Sequence, residues 1–494
     1  MAMEIQSRRH TSQISLPIAL TFCLVAAFIL RAHMFGDPYY RRDESFYLLV
    51  GQLLHRGTEL YSDIWDRKPP GLFAIYYLAA AFPNAVLAYQ LFAWLAAGLT
   101  SLTIMRIAAR FAGPAAQVVV ALWYLASLNL LDGGGGQSPV FYNLAIALAA
   151  LIVVTTDDYR SQWPYPRLML AMALSGLAIT IKQVAALEAG ALGIALVWRR
   201  FQIDGIISGT VRWIWPLGLA GALPMLIILA WIAATNRLEI FIWAMAGSNT
   251  ARWGQLVDPE APIRLAKSLA IMAPPLFLTA WSYFLGSQDK RFQDIAFTLG
   301  IWLTATIGGA LAVPTHYFHY LLPTLVPCAV GMALAVDRKR SAAVLAASLA
   351  IVGCLAEPIW TRQKAELHIT QLGALAALVK AHDPHPKLLV LEGPIPLYDW
   401  LEARPLGPLV FPPHLISASE RNVSHLDTEA ELRRLVALRP TTITRFSESK
   451  AGTNPNANRL FDRYIAEHCN RAGSVVVEEE GVRARDVVVW SPCR

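Results

Sequence analysis

Two short stretches of one loop hold the side chains best suited to chemistry. Asp43 and Glu44 are adjacent, and Asp66, Arg67 and Lys68 lead directly into Pro69, Pro70 and Gly71. A carboxylate placed beside a hydroxyl can take its proton and so activate a poor nucleophile. A cation placed beside a phosphate ester stabilises the charge that develops on a leaving group. Lys68 has little backbone freedom, because a residue before proline is pushed towards extended geometry and Pro70 then begins a helix with its φ preset. An ammonium fixed at a helix mouth among carboxylates suits a lipid phosphate, although a lysine that merely snorkels from the interface has the same composition. Asp43 likewise has a plainer reading, as the cap of a helix whose positive dipole end it favours.

Other clusters offer less. His316 and His319, with Tyr317 and Tyr320, stand at the end of an apolar run. The i, i+3 spacing permits two imidazoles on one side of a helix, but zinc wants further ligands, and an interfacial aromatic belt or contacts to a carrier phosphate or sugar fit as well. Lys182 and Glu188 flank a corner between two apolar runs. An acid in such a run is costly and faces inward, so Glu188 is a candidate substrate-binding group with Lys182 as its partner, a structural ion pair being the alternative. Of the 5 cysteines, Cys469 and Cys493 fall in the polar tail, where an extracytoplasmic location would permit a disulfide without the sequence deciding it. No cysteine spacing matches a metal motif.

The elements that must carry these groups follow from composition. The chain has 494 residues, of which 55% are hydrophobic and 16% charged, well below the charged fraction of a soluble domain. Apolar runs of about 17 to 22 residues recur up to residue 357, the length needed to cross a hydrocarbon core as helix. The net charge of +7 resides in short clusters between these runs and not on one continuous surface, which excludes a nucleic-acid-binding reading and instead reports topology. Arg8 and Arg9 put the N-terminus in the cytoplasm, and the run 14–35 reads as a retained first span, since no small-residue cleavage site follows it. Residues 36–84 then form the first outer loop. The apolar stretch 71–82 reaches only about 18 Å as helix, too short to cross, and reads as an interfacial helix. With that choice the spans 86–107, 115–131, 139–155, 168–181, 183–198, 213–234, 266–285, 295–313, 320–336 and 341–357 leave every Lys/Arg cluster inside, including Arg106, Arg160, Arg199 and Arg338. This makes about eleven crossings.

Within the first outer loop, Phe46, Leu49, Val50, Leu53 and Leu54 recur with helical period, predicting an amphipathic helix that buries one face in the membrane interface. From residue 358 onward the tail is polar and reads as mixed α/β. A strand is expected at 388–392, an amphipathic helix at 427–438, and a closing hairpin around Gly481. The expected architecture is an all-α polytopic membrane domain, residues 1–357, followed by an extracytoplasmic α/β domain, residues 358–494.

An Asp-Glu pair after the first span, a short amphipathic helix, and the Asp66 to Gly71 stretch of form D-x-K-P-P-G together resemble the GT-C glycosyltransferases of the aminoarabinose-transferase and protein O-mannosyltransferase group, family 39-like enzymes of the bacterial envelope. ITIKQVAALEAGALG at 179–193 and PTHYFHYLLPTLVP at 314–327 are similar to two further segments of that group. The resemblance implies a GT-C fold and an inverting transfer of a hexosyl or pentosyl unit from a polyprenyl-phosphate-sugar donor to an envelope glycan, lipopolysaccharide, lipid or protein acceptor, on the outer face of the bacterial inner membrane. It implies Asp43, with Glu44, as catalytic carboxylate, and Lys68 and Arg252 as donor phosphate ligands. Asp66, Lys182, Glu188, His316, Tyr317 and His319 are candidate substrate contacts. No cofactor beyond the lipid-linked sugar donor and no divalent metal is indicated. The chain departs from the pattern where Ser138 precedes Pro139 and where Arg67 precedes Lys68, positions at which aminoarabinose transferases carry acids. A transporter or flippase of polyprenyl-linked lipids, or a non-catalytic envelope scaffold, would share the spans. Paired repeats and midplane charges would mark the transporter, and a silent Asp43→Asn substitution would mark the scaffold.

Overall fold

In the computed structural model each of the eleven apolar runs forms one helix: Leu16–Arg31, Ala85–Ala108, Pro114–Leu130, Ser138–Thr155, Pro166–Ile181, Ala185–Asp204, Ile207–Ala234, Ala261–Gly286, Lys290–Leu311, Leu322–Arg338 and Arg340–Leu355. The structure describes residues 14–156, 159, 163–204, 207–253, 258, 260–357, 361–448, 452–479 and 482–494. Arg8, Arg9, Arg160 and Gly481, used above, lie outside them. Among the described residues, 7 helices are long and apolar enough to cross a membrane, and Pro114–Leu130, Pro166–Ile181 and Arg340–Leu355 are shorter apolar helices. Several begin with proline in the first turn, where its missing N–H costs no hydrogen bond.

The chain divides into two compact units. The first comprises Met1–Ala32, Ala93–Leu226 and Ala261–Ile359. Its central helix is Leu322–Arg338, buried at every position from Leu322 to Val336 and packed against Ala261–Gly286 and Pro114–Leu130. Apolar faces gain little by leaving lipid, so helices in a bilayer associate where small residues let backbones approach. Gly353 is such a site, since a Cβ there would lie 2.6 Å from the backbone of Ala126. The unit's outward side chains are apolar, with Trp215 and Phe284 each 78% exposed, a surface made for acyl chains and not for water. This is a polytopic membrane protein with a C-terminal sheet-bearing domain.

The second unit comprises His33–Phe92, Ile227–Glu260 and Trp360–Arg494. Its sheet has four strands in the order β1-β2-β4-β3: β1 Leu388–Val390, β2 Thr442–Phe446, β3 Cys469–Glu479 and β4 Val482–Cys493. β1 and β2 are parallel, and the other pairs are antiparallel. The expected strand at 388–392 is β1, and the expected hairpin is β3 with β4. Cys469 and Cys493 face each other across it and are disulfide-bonded. The helix expected at 427–438 is Thr428–Ala437, started by Asp427, whose side chain accepts from the Ala430 N–H at 2.7 Å. Leu389, Leu432, Ile443 and Phe461 form the core of this domain, and Trp65 of the first loop is buried among them.

The helix expected to lie with one face in the interface is Arg42–His55, and it differs from that expectation. It is buried at every position from Glu44 to Gly51 and again at Leu53, covered by protein on nearly all sides. Phe46 packs on Phe411 with ring centres 5.0 Å apart, and Gln52 donates to Asp399 at 2.9 Å. Gly51 lies against the backbone of Tyr76 in the helix Pro70–Ala80. Part of the cover, Phe411 and Asp399, comes from residues more than three hundred positions later, which the helical period does not report. Pro70–Ala80 itself has 11 residues, as the non-crossing reading of 71–82 requires.

Candidate active site

Asp43 and Glu44 occupy the first turn of Arg42–His55. The helix starts two residues earlier than a capping Asp43 would need. Arg41 is the cap residue and makes no side-chain cap bond, so the cap reading gives way to the dipole reading alone. The two acids part at once. Glu44 is fully buried, close to Tyr76 and Tyr89, whereas Asp43 is half-buried. One turn on, the Tyr47 hydroxyl donates to Asp43 Oδ2 at 3.5 Å.

Lys68 reaches the same tyrosine from the other side, its Nζ 5.4 Å from the Tyr47 ring centre. Its backbone is held as the two prolines dictate. Pro69 is extended with ψ 158° and caps Pro70–Ala80, and the Lys68 carbonyl accepts from the Tyr61 hydroxyl at 2.8 Å. Upstream, the buried Trp65 donates its backbone N–H to the Pro408 carbonyl at 2.9 Å, which ties the corner to the tail's core. Between these anchors Asp66 is 3% exposed and 3.7 Å from the Lys68 ammonium. Burial pushes the Asp66 carboxyl above its ordinary value, while Lys68, Arg67 and the Arg67 N–H pull it back.

Beside this corner the tail supplies two groups that the sequence reading missed. Glu420 forms an ion pair with Arg67 through one oxygen and with Arg252 Nε through the other, at 3.2 Å. Arg67 also donates to His414 Nε2 at 3.4 Å. His414 is packed edge-on against Trp65 and Phe411. Burial first, then Arg67, Lys68 and Arg252, hold it well below its ordinary value, so it is a neutral imidazole. The one local sign of His414 is Pro412-Pro413 before it, a preset helix start like that after Lys68. Glu420 has none.

Of the predicted residues, Asp43, Glu44, Asp66, Lys68 and Arg252 thus share the second unit. Lys182, Glu188, His316, Tyr317 and His319 belong to the first. There, Glu188 accepts from the Trp302 indole at 2.7 Å, and Lys182 lies over the Tyr320 ring at 4.9 Å. Both line a small cavity with Tyr142 and Thr306. Tyr317 and His319 stack with ring centres 5.8 Å apart, and His316 takes a left-handed backbone just before the 3-10 turn Phe318–Leu321. Among the described residues no group of three His, Cys, Asp or Glu side chains is arranged to hold a metal ion. What the second unit brings together is the half-buried Asp43 carboxylate and the Lys68 ammonium at one tyrosine, with Arg67 next in the chain to Lys68 and paired through Glu420 with Arg252, an arrangement whose residue types suit proton acceptance and the binding of an anion.

The chain matches no protein-family model and no curated protein sequence. Among solved structures it is similar to ArnT from Cupriavidus metallidurans bound to undecaprenyl phosphate, at 13% identity and TM-score 0.61, over 96% of this chain and 98% of that one. Apo ArnT from the same organism gives 12% and 0.58 over the same shares. Arabinofuranosyltransferase AftD from Mycobacteria is matched at 14% identity and TM-score 0.49, over 99% of this chain and 40% of that chain. At such identities the likeness to ArnT speaks for architecture alone, and the chain shares the fold of that protein over nearly its whole length.

Proposed function

We propose that the protein is an inverting glycosyltransferase that moves a sugar from a polyprenyl-phosphate carrier to an acceptor hydroxyl on an envelope glycan, lipid or protein. In this reading the protein lies in the bacterial inner membrane, with residues 36–84 and the domain 358–494 on the outer side. The observation that carries the proposal is that the Asp43 carboxylate and the Lys68 ammonium meet at one side chain, Tyr47. The likeness to a protein bound to undecaprenyl phosphate supports the choice of carrier.

Asp43 takes the proton of the acceptor hydroxyl as its oxygen attacks the anomeric carbon from the face opposite the phosphate. The carbon–oxygen bond to phosphate breaks, and its electron pair stays on the polyprenyl phosphate. Lys68 and Arg252 stabilise the charge gathering there, in a site where partial burial strengthens each interaction. Glu44, enclosed by protein, holds the first helical turn in place and does not meet the acceptor.

Asp43→Asn keeps the shape of the side chain and removes the base. Sugar transfer should fall by about 10²- to 10⁴-fold, with affinity for undecaprenyl phosphate unchanged in a binding titration. Lys68→Ala should weaken that affinity about tenfold. Near-normal transfer by Asp43→Asn, measured as glycan product by mass spectrometry, would refute the assignment and favour the scaffold or flippase reading.

A further inference from the structure

At its C-terminal end the helix Arg42–His55 meets the tail in a polar cleft of the second unit. Arg56, which caps this helix, pairs with Asp399 at 2.9 Å, and Gln52 donates to the other oxygen of that carboxylate, also at 2.9 Å. With Glu402 and Arg404 these two residues line a cavity of about 490 Å³, within the range of small-ligand pockets. The tail side is firmly held: Tyr398, in the short helix Leu397–Trp400, is buried, and its hydroxyl accepts from the Val390 N–H at 3.1 Å. Among the described residues no hydrogen bond or ion pair engages the side chain of Glu402 or Arg404. Glu402 also stands where glutamate is a poor choice. It follows Leu397–Trp400 with a left-handed backbone, φ 52°, its N–H on the Asp399 carbonyl and the Ala403 N–H on the Tyr398 carbonyl. In such a helix-ending turn glycine carries no steric penalty and glutamate does. Strain of this kind persists where a particular side chain is needed at that spot.

The lining holds two guanidiniums and two carboxylates, with no net charge and no apolar side chain. A phosphate would meet the carboxylates, a cation would meet the guanidiniums, and an acyl chain would find nothing to bury. A neutral polyol suits this lining, because each sugar hydroxyl both donates and accepts, and acceptors and donors stand here side by side. The cavity has room for a sugar or two and none for a folded partner. Its place matters as well: Arg56 lies 13 residues beyond Asp43 on one helix, about 20 Å along the axis and farther than a single sugar ring reaches. We propose that the cleft is a remote subsite for uncharged sugar residues of the acceptor, with Glu402 and Arg404 as its specificity-determining contacts, and that the acceptor is therefore an oligosaccharide chain. The helix, covered by protein on nearly all sides, keeps the subsite at a constant distance from the Asp43 carboxylate. This rests on the reading of Asp43 as the base of a sugar transfer, and it names the acceptor class which that reading leaves open.

The probe is the envelope oligosaccharide released by mild acid from cells that lack the protein and so carry the acceptor unmodified, and the donor is lipid-linked sugar extracted from the same cells. With full-length protein in detergent, Glu402→Gly and Arg404→Gln should each raise KM for this oligosaccharide about tenfold. They should leave kcat near wild type, the pattern of binding lost equally from ground and transition states. Glu402→Gly should do so with a Tm at or above that of the wild type, since glycine relieves the left-handed turn. A purely structural Glu402 predicts the opposite pair, a lowered Tm with an unchanged KM. Affinity for undecaprenyl phosphate should be the same in both variants and the wild type, which separates this cleft from the phosphate contacts proposed for Lys68 and Arg252. Asp43→Asn should bind the oligosaccharide like the wild type in a titration and fail to glycosylate it. Unchanged KM in both cleft variants overturns the subsite. A wild-type protein that ignores the released oligosaccharide and glycosylates the envelope protein or lipid fraction overturns the acceptor class and leaves the transfer reading intact. Normal transfer by Asp43→Asn, with KM still raised in Glu402→Gly, overturns the base and upholds the cleft.

Discussion

His414 shows how much one buried ring can be made to say. Arg67 can only donate, so His414 Nε2 must present its lone pair, and the proton of the neutral ring is on Nδ1. The folded protein resists a second proton because the ring is buried and three cations are near. The unfolded chain takes that proton at the ordinary histidine value of 6.5. Below this value the unfolded state binds more protons than the folded one, so His414 makes stability fall as the medium is acidified and contributes nothing to pH dependence above it. Between pH 7.5 and 5 the apparent Tm of the wild type should therefore drop more than that of His414→Gln, by about 2 °C or more. Equal drops would mean that the ring is protonated in the fold. Asp43 and Lys68 were legible in the sequence because their chemistry is local: an acid pair at a helix start, and a lysine locked by two prolines. His414 and Glu420 were not, because what makes them part of the site is a charge that arrives from Arg67, and no spacing within the tail encodes it.

At the scale of elements, the loop after the first helix works because two helices touch backbone to backbone. A Cβ on Gly51 would stand 2.6 Å from the Tyr76 carbonyl carbon and oxygen, neither of which can rotate away. Gly51→Ala should cost about 1–3 kcal/mol through overpacking. It should also displace Tyr47, one turn earlier in the same helix, from between Asp43 and Lys68. A lowered Tm together with reduced transfer is the expected pair of results, and a normal Tm would show that the helices can part freely. The apolar period of 46, 49, 50, 53 and 54 was enough to place the helix. It was not enough to reveal that the opposite face is also covered, because Phe411 and Asp399 belong to a domain that the period cannot see. The non-crossing helix Pro70–Ala80 was readable from length alone, since 11 residues rise only about 16 Å.

At the scale of the molecule, the eleven apolar runs were each recovered as a helix, because span length is set by bilayer thickness and is therefore written directly in composition. The second unit was not readable as one body, since it is assembled from three stretches separated by those helices. Its proposed side of the membrane follows from the basic clusters, chiefly Arg338, Lys339 and Arg340. Alkaline phosphatase, which needs an oxidising compartment, should be active when fused after Arg494 and inactive when fused after Arg340; the reverse pattern would invert the whole scheme. The interleaving also has a consequence in time. Arg67 leaves the ribosome 353 residues before Glu420. Through most of translation, the arginines of the first loop and of the segment near residue 252 wait at the membrane without the carboxylate that joins them. A chain cut short before residue 420 by a stalled ribosome or a nonsense codon would carry all eleven apolar helices together with Asp43 and Lys68, yet would lack the carboxylate that joins Arg67 to Arg252, so that this ion-pair network is completed only in the last part of synthesis.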